Sequence, residues 1–239
     1  MILLMLDFDG TLAPIVRDPA RASLGRGMAA SLARLAKRND VVMAVISGRS
    51  LADLKQRVRL ANIYYAGCHG FEMEGPGWSY LHPRMARVET QVKKLEDRLR
   101  TTLAGVQGTI IENKRYALTV HYRRAPRKEH PRIGRLVRQA GDPFRTWLRM
   151  EPGRMIHEFR PAVAWGKDKA VAQLMRRHRK DEPYPIFLGD DVTDEPAFEF
   201  LKGKGLTIKI DSDERAGRTA AILRLRSQRQ VMAFLRSLT

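Results

Sequence analysis

With 239 residues, the chain has room for one large or two modest domains and a substantial buried core. An apolar share of 44% excludes a disordered polymer, and the single cysteine, Cys68, excludes an internal disulfide or a cysteine-held zinc ion, as suits a reducing compartment. The net charge of +18 points to an anionic partner, whether nucleic acid, an acidic membrane surface or a phosphorylated small molecule, and residues 82–161 carry most of the excess, 19 Lys and Arg against 8 Asp and Glu.

In chain order, "ILLML" is a continuous apolar run and predicts a buried strand, and "GMAASLARLAKR" has helical spacing and ends in a basic turn. "VVMAVI" predicts a second buried strand, "LADLKQRV" a short helix and "IYYAG" a third strand. This βαβαβ rhythm implies a parallel sheet with helices on both faces. The pattern then changes. "GFEMEGPGWSYL" reads as a hairpin, "MARVETQVKKLEDRLRTTL" as an amphipathic helix, and "TIIENK" and "YALTVHYR" as antiparallel strands. "RIGRLVRQAG" follows as a helix, then "FRTWLRM" and "RMIHEFR" as strands. Past Pro161 the first rhythm returns with "KDKAVAQLMRRH", "YPIFLG", "TDEPAFEFL", "LTIKI" and "RQVMAFLRSL". The expected architecture is a Rossmann-like α/β core, residues 1–81 and 162–239, with a smaller α+β domain, residues 82–161, inserted into it. The apolar start is too short for a signal-peptide core, and no stretch approaches the ~20 apolar residues needed to span a bilayer. A soluble, cytoplasmic, monomeric chain is expected.

In open parallel sheets, ligands bind beyond the carboxyl ends of the strands. Three predicted strands end there in polar clusters. The first runs into Asp7, Asp9, Gly10 and Thr11, the second into Ser47, Gly48, Arg49 and Ser50, and "PIFLG" into Asp190, Asp191 and Asp194. Carboxylates gathered this closely repel one another strongly without a cation. Oxygen ligands without His or Cys select a hard ion, for which Mg²⁺ is the natural choice, and Mg²⁺ takes few carboxylates plus a substrate phosphate. Phosphoryl chemistry follows from that set.

"DFDGTL", "ISGRS", Lys167 and "GDDVTDE" resemble the four motifs of haloacid dehalogenase superfamily phosphatases. "AGCHGFE", "ENK", "HYR", "HEFRP" and "GDDVTDEPAF" resemble trehalose-6-phosphate phosphatases in particular, and the inserted domain resembles their α+β cap. The resemblance implies that Asp7 is a nucleophile forming an aspartyl-phosphate, with Asp9 as general acid and then general base. It implies Mg²⁺ on Asp7, the Asp9 carbonyl and Asp190, with Asp194 or Asp191 in support. Ser47 and Lys167 are implied to hold phosphoryl oxygens, with Arg49 as a helper and Lys169 as the fallback lysine. His69 and Asp191 join the implied substrate-binding set, and Cys68 is expected to pack rather than react.

In the inserted domain, Glu112 and Lys114, His121 and Arg123, and Glu158 and Arg160 are each two residues apart, so on strands each pair shares a face. Such a face is either a sugar-binding wall or a set of cross-strand ion pairs. The resemblance favours the wall, with Glu112, Lys114 and Glu158 as principal contacts. The implied reaction is Mg²⁺-dependent hydrolysis of trehalose 6-phosphate. Sucrose phosphate and a mannosyl- or glucosyl-glycerate phosphate are alternative substrates. A basic nucleic-acid-binding protein is the alternative from another class, although no nucleic-acid motif is visible.

Overall fold

A computed structural model describes every residue except Arg17, Arg154 and 212–217. The chain divides into two compact units, Met1–Leu81 with Trp165–Thr239, and His82–Ala164. No helix among the described residues is long and apolar enough to cross a membrane.

The first unit is built on strand β1 (Ile2–Asp7), whose apolar run is buried on both faces. Its neighbours are β2 (Val41–Ile46) and β10 (Tyr184–Gly189), both parallel to it. The sheet continues through β3 (Tyr64–Gly67) on one side and β11 (Leu206–Ile210) and β12 (Leu223–Leu225) on the other. Alternation along β1 sorts its side chains into two layers. Leu4 and Leu6 pack with α1 (Arg26–Leu35), α2 (Leu51–Val58) and α7 (Gln228–Ser237) through Leu32, Leu35, Leu54, Val231 and Leu235. Leu3 and Met5 pack with α5 (Lys167–Arg177) and α6 (Glu195–Leu201) through Val171, Leu174, Phe198 and Leu201. Each such fully buried side chain contributes roughly 1.5–3 kcal/mol, which fixes the sheet between its helices.

The sheet is mixed rather than wholly parallel. The predicted hairpin, β4 (Glu72–Gly75) and β5 (Trp78–Leu81), adds antiparallel to β3 at one edge. Strand β12, absent from the sequence expectation, closes the other edge. Tyr80 of β5 stacks on Trp165, ring centroids 5.7 Å apart.

The second unit is a four-stranded antiparallel sheet in the order β6 (Ile110–Asn113), β7 (Leu118–His121), β9 (Ile156–Pro161), β8 (Leu148–Gly153). Its helices are α3 (Met85–Thr102) and α4 (His130–Gly141). Their buried Val88, Val92, Leu95, Leu99, Ile133 and Val137 recur at helical spacing, which is the core-facing stripe of each. Two strand limits show how the structure departs from expectation. "FRTWLRM" enters its strand only at Leu148, because Asp142–Phe144 forms a 3-10 turn that buries Phe144. "YALTVHYR" leaves its strand after His121. Arg154, first in "RMIHEFR", lies outside the described residues.

Candidate active site

The register of the first sheet brings the polar strand ends to one edge. Asp7 pairs with Ile46, and Leu6 with Leu188, so Ser47 and Asp190 emerge beside Asp7. Lys167, the first residue of α5, spans two of the carboxylates. Its Nζ donates to Asp7 Oδ1 and to Asp194 Oδ1, both at 2.6 Å, and its side chain is only 2% exposed. Burial works against the lysine's charge, but Asp194 and Asp7 hold its pKa above the ordinary lysine value.

The other carboxylate oxygens set the chemistry of the site. Asp7 Oδ2 and Asp190 Oδ1 are buried with no hydrogen-bond partner. Asp7, Asp190 and Asp194 each offer an oxygen within 4.8 Å of the others. Burial, and then the neighbouring carboxylates, push Asp7 well up and Asp190 to about 6, with Lys167 opposing in both cases. Three carboxylates against one ammonium leave two negative charges in excess, and the unpartnered oxygens are hard donors. That set fits a divalent cation of the Mg²⁺ type.

The loop after Asp7 is shaped by its backbone. Leu12 and Ala13 N–H donate to the Phe8 carbonyl, and Gly10 N–H to that of Ala13. Gly10 has φ +86°, and a Cβ there would lie 1.9 Å from Asp190 Oδ2, so only glycine fits. Thr11 Oγ1, buried, has no hydrogen-bond partner and does not close the turn. The Gly10 carbonyl instead accepts from Gln228 Nε2 of α7 at 2.6 Å.

Asp9 is held by Arg49. The guanidinium donates from Nε to Oδ2 at 2.7 Å and from Nη2 to Oδ1 at 2.6 Å, a bidentate pair. Arg49 also donates to Asp53 of α2 at 2.8 Å. Arg49 was expected as a phosphate helper, but its fork is spread over two carboxylates, one of them the expected acid–base residue. Ser47 is buried, and its Oγ accepts from Arg49 N–H at 3.2 Å. His69 follows β3 in the Cys68–Gly70 turn beside this loop.

Asp191 and Asp194 form a reciprocal cap. Asp191 Oδ1 accepts from Val192 N–H at 2.7 Å, and Asp194 Oδ2 from Asp191 N–H at 2.9 Å. Asp191, expected among the substrate contacts, thus shapes the loop that presents Asp190 and Asp194. Lys209 was missed. It sits buried in β11, donates to the Asp191 carbonyl at 3.1 Å and lies 3.6 Å from Glu195. A lysine inside the apolar "LTIKI" was the available signal. Lys169, the fallback, is half exposed and pairs with Asp168 at 3.2 Å.

The second unit carries its own polar cluster. Glu112, Thr119, Glu158 and Glu151 face one another across the four strands. Glu158 accepts from Lys114 Nζ at 3.0 Å and Arg160 Nε at 2.7 Å, with Thr119 Oγ1 at 3.3 Å. Burial raises the Glu158 pKa, yet the Lys114 and Arg160 charges overcome it and hold the value at about 2. Glu112 bonds His121 Nε2 at 2.8 Å and lies 4.0 Å from Lys114. Lys114 is past the end of β6 and reaches back from the turn. Arg123 is not part of this face. β7 ends at His121, and Arg123 stands exposed in the following turn.

A sequence model of the trehalose-phosphatase family matches residues 5–229. The trehalose-phosphate phosphatase of Mycobacterium marinum is 39% identical over 234 residues, covering 95% of this chain and 59% of that protein. The chain thus spans about three-fifths of the length of the curated relatives it matches. The C-terminal domain of Candida albicans trehalose-6-phosphate phosphatase is 26% identical with a TM-score of 0.76, covering 99% of this chain and 91% of that one. A trehalose-6-phosphate phosphatase related protein shares the fold with a TM-score of 0.81, at 24% identity over 99% of this chain and 96% of that one. The chain belongs to the trehalose-phosphatase family.

Proposed function

We propose that this chain hydrolyses trehalose 6-phosphate to trehalose and inorganic phosphate through an aspartyl-phosphate on Asp7. The observation that carries this reading is the state of Asp7. One oxygen is pinned by Lys167, and the other is buried without a partner at the strand edge. In the first step a carboxylate oxygen of Asp7 bonds to phosphorus as the bond to the sugar oxygen breaks, and Asp9 gives that oxygen a proton. In the second step Asp9 takes a proton from water, whose oxygen bonds to phosphorus and releases Asp7. Lys167 and Ser47 hold the phosphoryl oxygens, where fixed positive charge and donors act most strongly in a dry site. Arg49 keeps Asp9 oriented between steps.

Asp7, Asp190 and Asp194, with the Asp9 carbonyl, would hold Mg²⁺. When bound, the ion neutralises charge on the phosphoryl group. In the second unit, Glu112, Lys114 and Glu158 are the proposed sugar contacts, with His121 alongside. Carboxylates accept from sugar hydroxyls and the ammonium donates. On this reading the chain works as a monomer in the cytoplasm, which its single buried cysteine suits.

The test is phosphate release from a panel of sugar phosphates with and without Mg²⁺. Trehalose 6-phosphate is expected to turn over fastest and only with the metal. Turnover of sucrose phosphate or a glycosyl-glycerate phosphate in its place would reassign the substrate. Asp7→Asn is expected to lose about 10⁴-fold or more in kcat with an unchanged circular-dichroism spectrum, and retained turnover would remove Asp7 from its role.

A further inference from the structure

Three consecutive residues after β3 have left-handed backbones: Cys68 with φ 50°, His69 with φ 59° and Gly70 with φ 92°. Side-chain-bearing residues adopt this region only where their surroundings over-determine it. Two sets of contacts do so here. On one side, Cys68 N–H donates to the Arg49 carbonyl at 2.6 Å and His69 N–H to the Ser47 carbonyl at 2.8 Å. The His69 ring covers Gly48, where a Cβ would lie 2.8 Å from ring atoms Cε1 and Nε2. On the other side, a Cβ on Gly70 would lie 2.4 Å from Ala170 Cβ, and the Phe71 ring stacks on Trp165 with centroids 5.8 Å apart. Trp165 and Ala170 bracket Lys167 in the chain.

We propose that the Cys68–Gly70 turn sets the spacing between Ser47 and Lys167, and that His69 is a positioning residue acting through Gly48 rather than a contact to the sugar. The turn bonds the Ser47 loop and also packs on the start of α5. Its left-handed backbone directs successive N–H groups at two carbonyls of that loop while Gly70 and Phe71 face the helix. The proposal deepens the phosphatase reading and rests on it for the roles of Ser47 and Lys167 as phosphoryl holders.

The test is a double-mutant cycle with Gly48→Ala, His69→Ala and the pair, assayed on trehalose 6-phosphate and on p-nitrophenyl phosphate. A displacement of ~1 Å in a positioning group costs about 10²-fold. Gly48→Ala is expected to lower kcat by about that factor on both substrates, and His69→Ala by about 10-fold on both, with KM nearly unchanged. With the ring gone the new methyl has room, so adding Gly48→Ala to His69→Ala is expected to cost less than about 3-fold, a strongly non-additive cycle. Multiplying effects would overturn the proposal. So would a rise in KM for trehalose 6-phosphate alone, which would make His69 a sugar contact. If the unmodified protein turns over no phosphate ester, the phosphatase reading fails instead. The same cycle is then read in Tm and in the Kd for inorganic phosphate with Mg²⁺, where additivity overturns the positioning role. If Gly48→Ala does not fold alone, its recovery in the double variant supports the proposal, and failure there, with His69→Ala folded, ends it.

Discussion

The two polar clusters of this molecule are built on opposite plans. In the first unit, Lys167, Asp7 and Asp194 are 2%, 6% and 0% exposed, and their places are set by strand ends and a helix start. In the second, Glu112 is 47% exposed, His121 36% and Lys114 27%, and their partners are one another. The first cluster is strained electrostatically, with carboxylates pushed up and oxygens left without partners. The second is relaxed, with Glu158 pulled down and all four of its strands contributing. Phosphoryl transfer needs fixed charge in a dry place, whereas a disaccharide needs many hydrogen-bonding groups that can exchange water for hydroxyls. On the proposed reading, the contrast fits chemistry in one cluster and selection in the other.

Lys167→Met should break that contrast most severely. It leaves Asp7 and Asp194 buried without their cation, a loss of about 3–5 kcal/mol for a buried pair broken on one side. The expected outcome is a large fall in Tm together with loss of turnover on every phosphate ester. A variant as stable as the parent would mean that the carboxylates are solvated or protonated.

Glu158→Gln should be selective instead. Lys114 and Arg160 lose a charge-assisted acceptor worth roughly 1.5–3 kcal/mol, so KM for trehalose 6-phosphate is expected to rise about 10- to 100-fold while p-nitrophenyl phosphate turnover stays within about twofold. Equal losses on both esters would dissolve the division of labour.

The pH dependence of stability gives the smallest and sharpest test, because the clusters carry opposite signs. Glu158 has a lowered folded pKa, about 2, so its contribution is present above its unfolded value near 4.5 and is lost as pH falls toward 2. Asp190 has a raised pKa, about 6. The unfolded chain releases that proton first, so the metal-free protein is expected to lose stability as pH rises from about 4 to about 6. Mg²⁺ binding to the ionised carboxylates should reverse the loss, so its effect on Tm should be larger at pH 7.5 than at pH 5. A Tm shift by Mg²⁺ that is equal at both pH values would show that these carboxylates are not its ligands.

The polar strand edge was readable from sequence because topology does the gathering. Once "ILLML", "VVMAVI" and "PIFLG" are parallel neighbours, Asp7, Ser47 and Asp190 must meet. What was hidden depends on pairings between distant segments. Nothing local says that Arg49 grips Asp9, or that Gln228 holds Gly10 across nearly the whole chain. Lys209 was hidden by its apolar surroundings in "LTIKI", and β12 by its brevity and exposure. The hairpin after Phe71 was visible, but the sheet that accepts it was not. Arg123 was misassigned because spacing by two implies a shared face only while the strand lasts, and β7 stops at His121.

The Tyr80–Trp165 stack has a consequence for how such a protein diversifies. Ring centroids 5.7 Å apart hold together the points where the chain leaves the first unit and returns to it. To the first unit, the 83 residues of His82–Ala164 amount to a single surface loop whose ends are already joined. Loop-closure cost grows only with the logarithm of length, so a larger, smaller or unrelated insert could replace them at little expense to the parent fold. One cassette can then be exchanged while the parent sheet and its polar strand ends descend intact.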